Sequence, residues 1–377
     1  MSHPITGVAT SITVFIGSAL RGPTELPCSV NSFADFERLY GGLWVNSTLG
    51  YAVQQFFLNG GSQALIVRVK DDGSGGITDA DIVASLAALQ KVDLFNLLCI
   101  PPLKRHGGDV GKQTWDAAIA YAKSRRAFVI VDPAERWASA DDVLDAATGL
   151  TSVVTPDDSA AIYFPRILAG DPLNNGQADS FAPDGTIAGI FAATDARVGV
   201  WRAPAGIEAA MQGALGLSLG GSVSPGTLSD ADSEKLNGAA VNSLRNFPVY
   251  GTVVWGARTS KGEDVLASDW KYVPVRRLGY YIEESVLRGI QWAAFEANDQ
   301  ALWSQLRLSV AAFMHGLFTQ GALHGTAPQQ AYFVECDSNT TTPGDIENGI
   351  ANIVIGFAPI KPAEFVVLTI RQTTLTG

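Results

Sequence analysis

The run RRLGYYIEESVLRGIQWAAFEANDQALW, which spans Arg276 to Trp303, combines a basic start, adjacent carboxylates and several aromatic rings. On a helix, the neighbours Glu283 and Glu284 point about 100° apart, so they cannot act as a facing acid–base pair. Glu284 instead lies four residues before Arg288, which is the favoured orientation for a helical ion pair. The stretch therefore predicts a structural helix rather than a catalytic centre.

A second helix is predicted to follow the corner FEAND, residues 295–299. Asn298 or Asp299 can cap its first turn, and Gly321 can end it. One apolar stripe runs along this helix at helical spacing: Leu302, Leu306, Val310, Phe313 and Leu317. The aromatic residues expected to gather around the corner, as a rigid joint between the helices, are Trp292, Phe295 and Trp303.

Upstream of this stretch, strand patterns alternate with helical patterns. The predicted strands are 11–19, 63–70, 94–101, 127–133 and 160–167. The predicted helices are 32–43, 49–61, 79–92, 114–126, 139–150 and 185–199. Strands that alternate with helices of this length indicate an α/β layer with a largely parallel sheet. A strand pair at 247–260 and closing strands at 351–359 and 363–372 complete the pattern.

Composition limits the classes of function. Of 377 residues, 47% are hydrophobic and only 17% are charged, which fits a surface largely covered by partners. The net charge is −11, whereas a protein that coats nucleic acid is normally basic, so direct DNA or RNA binding is disfavoured. Residues 271–377 contain 7 basic and 9 acidic residues, so most of the negative charge lies before them.

The cysteines and the amino terminus indicate the compartment. Cys28, Cys99 and Cys336 are widely spaced and odd in number, which favours free thiols in a reducing compartment over a disulfide framework. The start MSHPITGVATSITVFIGSALRG lacks the basic and long apolar regions of a signal peptide. No stretch approaches the ~18 uninterrupted apolar residues of a membrane helix, so membrane insertion is not expected.

One motif offers an enzymatic alternative. GLSLG, residues 216–220, matches the G-x-S-x-G nucleophile elbow of a serine hydrolase, with Ser218 as the nucleophile and His315 or His324 in the right chain order. The elbow needs a strand before the serine and a helix after it. The sequence GSVSPGT that follows cannot form a helix, so a glycine loop is the favoured interpretation.

The other motifs for chemistry are incomplete. GGDVGKQ, residues 107–113, resembles a phosphate loop, but its glycine spacing is one residue short and Gln113 stands where Ser or Thr would hold Mg²⁺. The four histidines show no metal-ligand spacing: His3, His106, His315 and His324. We therefore expect no catalytic residue, no metal site and no cofactor.

The sequence from Arg276 onward resembles the carboxyl-terminal domain of contractile phage tail sheath proteins, a family that includes the sheaths of R-type bacteriocins and phage-like injection systems. The resemblance is carried by ordered motifs: QWAAFEANDQALW, QGALHG, AYFVECD, DIENG and APIKPAEFV. Upstream, ITGVATSITVFIGSALRG and LGYAVQQFFLNGG resemble the amino-terminal part of the family, and RVGVWRAPAG and VVWGARTS resemble its middle. Nearly the whole chain is covered.

The resemblance implies a two-domain subunit of α/β (α+β) fold. Residues 1–19 would form an amino-terminal strand that joins the inner domain, and residues 20–240 the outer α/β domain. Residues 241–377 would form the inner domain, with a small sheet, long helices and a carboxyl-terminal strand or arm. Family members usually carry an amino-terminal arm before the position of Ile5, and we expect this arm to be absent here.

The resemblance also implies a structural, non-enzymatic function. Such subunits polymerise as stacked hexameric rings around an inner tube, assemble in an extended state and contract to drive the tube through a target cell envelope. The expected partners are neighbouring sheath subunits, the inner tube, and baseplate and tail terminator proteins. We expect assembly in the bacterial cytoplasm, as part of a virion tail or a phage tail-like particle.

Three groups of residues are candidates for these contacts. The terminal strand expected to pair with a neighbouring subunit is Glu364, Phe365, Val366, Val367, Leu368, Thr369, Ile370 and Arg371, with an ordinary core strand as the alternative. The tube-facing candidates are Phe313, His315, Gln320 and His324. Their region carries no permanent charge, so we expect a tube contact with weak salt dependence. The hinge candidates are Gly17, Gly356, Pro359 and Pro362.

Overall fold

The structure, a computed structural model, describes residues 3–71, 73 and 75–364. Its strands, numbered along the chain, are β1 Thr13–Gly17, β2 Cys28–Val30, β3 Ala64–Arg68, β4 Leu97–Cys99, β5 Phe128–Val131, β6 Ala160–Phe164, β7 Arg166–Asp171, β8 Gln177–Phe181, β9 Ala214–Ser218, β10 Val241–Phe247, β11 Gly251–Val254, β12 Tyr332–Glu335 and β13 Val354–Phe357. Its α-helices are α1 Phe33–Tyr40, α2 Leu49–Leu58, α3 Asp79–Ser85, α4 Lys112–Ser124, α5 Ala140–Leu144, α6 Leu150–Val153, α7 Asp184–Arg197, α8 Asp230–Gly238, α9 Val273–Gly289, α10 Gln300–Thr319, α11 Pro328–Ala331 and α12 Pro343–Glu347.

Eight strands form one sheet in the order β11-β10-β6-β5-β4-β1-β3-β2. Its six inner strands run parallel, and an antiparallel strand closes each end. In β1, Thr13 pairs with Ala64 of β3 on one side and with Leu97 of β4 on the other. The predicted α/β layer with a largely parallel sheet is confirmed.

Both faces of this sheet are covered, which explains why its inner strands are almost continuously apolar. Val14 and Ile16 of β1 share one core with residues of α3, α4, α5 and α8. Phe15 points to the opposite face and shares a core with residues of α1, α2 and α7. All three side chains are fully buried, and burial of each contributes about 1.5–3 kcal/mol to folding.

A second sheet of three antiparallel strands, in the order β8-β7-β9, adds to one of these cores. Its residues Ile167, Phe181 and Leu217 lie in the same cluster as Phe15. Between residues 170 and 233 the sequence pattern predicts only a helix, which is α7. The strands β8 and β9 are found in addition, because tertiary packing here overrides a local sequence rich in Gly, Pro, Asp and Asn. The helix α8 is also found, and it begins with a local capping box formed by Ser229 and Asp232.

The carboxyl-terminal part consists of α9, α10 and the two-stranded antiparallel sheet β12–β13. Its core contains Leu278 of α9 and Val310 and Leu317 of α10. Tyr332 and Phe357 of the small sheet pack against this core. The predicted apolar stripe of the second long helix is confirmed: Val310, Phe313 and Leu317 face this core, and Leu302 and Leu306 are buried in a smaller cluster beside it.

The FEAND corner between α9 and α10 is only partly as predicted. Asp299 caps α10 by accepting hydrogen bonds from two backbone amides of the first turn, at 2.9 and 3.0 Å. Trp303 is buried, and its Nε1 donates to Asn298 Oδ1 at 2.8 Å. Phe295, in contrast, does not pack at the corner. Its side chain is fully exposed, and its backbone has a φ of 71°, in the left-handed region.

The large sheet combines strands from all three predicted segments of the chain. β1 lies before residue 19, and β10 and β11 lie after residue 240, yet they pair with strands of the 20–240 segment or with each other. The predicted boundaries therefore do not coincide with an edge of the sheet. The division into an inner and an outer domain stays a prediction.

Candidate subunit interface

The small sheet β12–β13 is the first candidate for contact with another chain. Its four residue pairs run from Tyr332 with Phe357 to Glu335 with Val354, and no further strand joins it within residues 3–364. One face packs on α9 and α10, whereas Phe333 and Val354 on the strands are 52% and 44% exposed. A two-stranded sheet is marginal by itself, and its unpaired backbone groups can accept another strand.

Of the predicted terminal strand, only Glu364 is described; residues 365–371 lie outside the described residues. Glu364 is bound within its own chain. Its two carboxylate oxygens accept hydrogen bonds from Nε and Nη2 of Arg258, both at 2.6 Å. Tyr272 Oη donates to the same carboxylate at 3.1 Å. The last described residue is thus tied to the segment that leads into α9.

The amino-terminal segment is bound at the other end of α9. The ring of His3 stacks on Trp292, with centroids 4.1 Å apart, and the amide of Val8 donates to Ser285 Oγ at 3.2 Å. Gly7 lies against Tyr281, and a Cβ at this glycine would lie 1.9 Å from the tyrosine Oη. Both ends of the described chain therefore contact α9 or the residues that flank it.

A buried ion pair joins α9 to the α/β layer. Arg277 donates to both carboxylate oxygens of Asp195 in α7, at 2.9 and 2.6 Å, and to the carbonyl of Thr10 just before β1 at 2.9 Å. The side chains of Arg277 and Asp195 are 3% and 4% exposed. Removal of one partner from such a pair leaves an uncompensated buried charge and costs about 3–5 kcal/mol.

A second, more exposed network strengthens the same junction. Glu284 pairs with Arg288 at 2.7 Å, which confirms the predicted helical ion pair. Glu284 also pairs with Arg126, just before β5, at 3.1 Å. Arg288 reaches Asp93, before β4, at 2.8 Å. These contacts place α9 across the amino-terminal ends of the parallel strands, so the carboxylates of the opening stretch are structural.

The predicted tube-facing residues occupy two environments. Phe313 is half-buried, with its ring 6.0 Å from that of Tyr281. His315, Gln320 and His324 are exposed, at the carboxyl-terminal end of α10 and in the turn after it. The polar candidates thus share one exposed end of the molecule, and a role in tube contact stays a prediction.

The predicted hinge residues lie in or beside strands. Gly17 is the last residue of β1, and a Cβ there would lie 3.2 Å from Leu49 Cβ. Gly356 lies in β13, and a Cβ there would lie 2.0 Å from an atom of the Phe333 ring. Close packing is therefore one reason for glycine at both positions. Pro359 and Pro362 lie between β13 and Glu364, and a hinge at any of the four positions stays a prediction.

Ser218 lacks the geometry of a hydrolase nucleophile. It is the last residue of β9, is 1% exposed, and its Oγ contacts Ser180 Oγ at 2.8 Å and the carbonyl of Ser222 at 2.7 Å. Turns rather than a helix follow it. Among the described residues, no group of three or more His, Cys, Asp or Glu side chains could hold a metal ion, and no helix is long and apolar enough to cross a membrane.

A pair of buried carboxyl groups that sequence reasoning did not identify lies where β5 ends and α7 begins. Asp132 and Asp184 are 5% and 0% exposed, and the amide of Asp184 donates to Asp132 Oδ1 at 3.1 Å. Within the described residues, Oδ2 of each has no hydrogen-bond partner. Desolvation raises the pKa of Asp184 to about 7 and holds the pKa of Asp132 well above its usual range.

Comparison with known proteins connects this architecture to one family. The model of the phage tail sheath C-terminal domain matches residues 267–373. A prophage major tail sheath protein of Pseudomonas aeruginosa (strain UCBPP-PA14) is 26% identical over 263 residues, which are 68% of this chain and 54% of that protein. The tail sheath protein of Vibrio phage KVP40 is 25% identical over 194 residues, 50% of this chain and 26% of the phage protein. The chain thus spans about half the length, or less, of these curated relatives.

A solved structure agrees over nearly the whole chain. The PVC sheath complex of an extracellular contractile injection system, solved in the contracted state, has a TM-score of 0.78 and 26% identity. The similarity covers 99% of this chain and 94% of that chain. The fold is similar to that of a contractile sheath subunit, and the family model of the tail sheath C-terminal domain matches the carboxyl-terminal third of the chain. The predicted resemblance to contractile tail sheath proteins is confirmed.

Proposed function

We propose that this chain is the structural, non-enzymatic subunit of a contractile sheath. Copies polymerise as stacked hexameric rings around an inner tube and contract to drive the tube through a target cell envelope. The observation that supports this most directly is the likeness, over 99% of the chain, to a sheath solved in the contracted state. The chain itself contributes the small sheet β12–β13, which no third strand joins within residues 3–364 and which therefore suits a polymer.

Strand addition is the proposed link between copies. The segment that follows Glu364 would pair with the β12–β13 sheet of a neighbouring copy, where main-chain hydrogen bonds supply the contact. Such a contact joins two different surfaces of the same chain, and a head-to-tail contact that does not close builds a helical filament. The exposed side chains of Phe333 and Val354 would be covered in this arrangement.

Each subunit would move as a rigid body during contraction. The buried pair Arg277–Asp195 and the network around Glu284 fasten α9 to the α/β layer, so a change between these elements would break several ion pairs at once. Motion would therefore concentrate at the connections between copies. Contraction needs no nucleotide if the extended state is metastable.

The remaining assignments extend the same proposal. Residues 20–240 would face outward, and residues 1–19 and 241–377 would belong to the inner domain. The exposed His315, Gln320 and His324 would face the tube. The baseplate and the tail terminator would bind the ends of the polymer, as parts of a virion tail or a phage tail-like particle that assembles in the bacterial cytoplasm.

Assembly of the purified chain tests the proposal. Negative-stain microscopy and light scattering should show tubular polymers for the full chain and monomers for a variant that lacks residues 365–377. The variant should melt at nearly the same temperature, because it retains Glu364. The buried substitution Ser218→Ala should polymerise like the full chain. Polymers of the truncated variant, or only monomers of the full chain, would contradict strand addition between copies.

The tube contact has a separate test. With an apolar and neutral polar contact, raising salt from 0.1 to 1 M should leave the inner tube bound, because screening weakens only charge pairs. Co-sedimentation of sheath and tube at both salt concentrations gives the measurement. Loss of the tube at high salt, from sheaths that stay intact, would show that the contact lies elsewhere.

A further inference from the structure

We propose that Arg258 and Glu364 form a latch that fixes where the carboxyl-terminal segment leaves its own subunit and thereby sets the length of the connection to the next copy. The connection rests on the function proposed above, whereas the latch is a property of the single chain. Glu364 would then not be part of the exchanged strand. It would be the last residue that belongs to its own subunit.

The arginine side of the latch is built for a carboxylate. The side chain of Arg258 is 1% exposed, and a guanidinium at this depth needs partners for its charge and its donors. Glu364 binds Nε and Nη2 in the two-pronged geometry that arginine and carboxylate share. The remaining contacts of Nη1 are Asp264 Oδ1 at 3.2 Å and the carbonyl of Gly262 at 3.3 Å.

The glutamate side is equally well defined. The side chain of Glu364 is 16% exposed, Tyr272 Oη donates to it, and Lys271 Nζ lies 3.9 Å from Oε2. These groups come from the segment between β11 and α9, about 100 residues earlier in the chain. An unattached surface tail would not be expected to place a carboxylate among two cations and a phenol.

The chain between β13 and the latch is held at both ends. At the β13 end, the amide of Ala358 donates to the carbonyl of Ala331 at 2.8 Å, and Pro359 forms a bridge with Leu323. At the other end stands Glu364. Between these points lie only residues 360–363, which include Pro362. The hinge predicted at Pro359 and Pro362 could therefore open only after the latch is released.

Release would lengthen the connection by a defined amount. With the latch closed, the connection to the next copy would begin at residue 365. With the latch open, the connection would begin at residue 360. The five added residues correspond to about 16 Å of extended chain. A closed latch thus favours a short connection between copies, and an open latch permits a longer one.

Limited proteolysis of the unassembled full chain tests the latch directly, because cleavage needs a backbone that is free to move. In Glu364→Ala, we expect proteinase K to cleave the chain within residues 360–363 at least tenfold faster than in the wild type, with little change in cleavage of the large sheet. Asp264→Asn is the matched control, since it neutralises another carboxylate beside Arg258 without touching the terminal segment. An unchanged cleavage rate within residues 360–363 in Glu364→Ala would overturn the latch.

Two further measurements complete the test. If Glu364→Ala does not fold, Glu364→Gln, which keeps the shape and removes the charge, should show a several-fold increase in the cleavage rate, and a wild-type rate in that variant counts against the latch. In polymers, Glu364→Ala should broaden the axial repeat, and a repeat as uniform as that of the wild type would overturn its role in connection length. If the wild type forms no polymer, the function proposed above fails, while the proteolysis result on the latch still stands.

Discussion

Replacement of Asp184 by Asn should make the stability of the protein less sensitive to pH. Asp184 and Asp132 are buried together, and Arg166, a cation that lowers the pKa of both, makes its contacts with Asp109, Glu135 and the carbonyl of Pro133. Burial therefore dominates, and it raises the pKa of Asp184 from 3.8 to about 7. The folded protein consequently holds a proton that the unfolded chain releases above pH 4.

The sign of the pH effect follows from this difference. Below about pH 4 both states are protonated at Asp184, and the stability contribution of the neutral carboxyl is fully present. As the pH rises towards 7, the proton retained by Asp184 lowers the free energy of unfolding by up to about 1.4 kcal/mol per pH unit. Over the whole range between the two pKa values of Asp184, the loss is about 4 kcal/mol. Hydrogen bonds lower the pKa values of Asp81 and Asp93. The stability that these two ionised carboxyls contribute is therefore lost only at acid pH, below the range from pH 4 to pH 7 in which Asp184 acts.

Thermal melting between pH 4 and pH 8 measures the effect. Near pH 4 the Asn variant and the wild type should have similar stability, because Asn resembles the neutral Asp in shape and the unfolded chain has not yet released its proton. At pH 8 the variant should be more stable by about 2–4 kcal/mol, or roughly 2–5 °C for a chain of this size. Asp269→Asn, at an exposed carboxyl, is the control. Parallel curves of melting temperature against pH for Asp184→Asn and the wild type would refute the reasoning.

Four further substitutions probe the rest of the molecule. Asp195→Ala should lower the stability by about 3–5 kcal/mol, because Arg277 is left buried and unpaired, whereas Asp93→Ala, at an exposed pair, should cost less than about 1 kcal/mol in the same melting assay. Phe295→Asn should raise the melting temperature slightly, by an equivalent of about 1 kcal/mol, because Asn tolerates the left-handed backbone and no packed ring is lost; a lower melting temperature would show that the ring packs. Ser218→Ala should cost about 1 kcal/mol for its lost hydrogen bonds and leave polymerisation unchanged in light scattering.

The parts of the fold that the sequence predicts are those whose signal is local. The inner parallel strands are short apolar runs between amphipathic helices, and the cap at Asp299 and the pair Glu284–Arg288 depend on spacings of a few residues. The strands β8 and β9 carry no such signal, because polar residues and glycines interrupt their alternation. Their identity as strands comes from packing against a core assembled from distant segments.

The candidate site shows the same limit. The sequence predicts that Glu364 begins a strand that pairs with a neighbouring subunit, and that pairing stays a prediction. Within the single chain the carboxylate is bound by Arg258, 106 residues away along the chain, a contact that the sequence does not indicate. The buried pair Asp132 and Asp184 is likewise joined by the fold, since 52 residues separate its members. Contacts of this range leave no periodic trace in one sequence, so their chemistry becomes visible only when the topology is known.

The distribution of ion pairs indicates which part of the subunit could move if the polymer contracts. Along α9, the ion pairs of Arg277, Glu284 and Arg288 reach three separate parts of the α/β layer, so a shift of this helix would break them together. The segment from Pro359 to Glu364 is held at its two ends, by one strand-like bridge at Pro359 and by the contacts of Glu364 with Arg258, Tyr272 and Lys271. If copies exchange their carboxyl-terminal strands, a change in the spacing between copies therefore costs the least free energy when residues 359–364 absorb it. A substitution at the latch should then alter the polymer without altering the folded subunit, whereas a substitution at Asp195 should do the reverse.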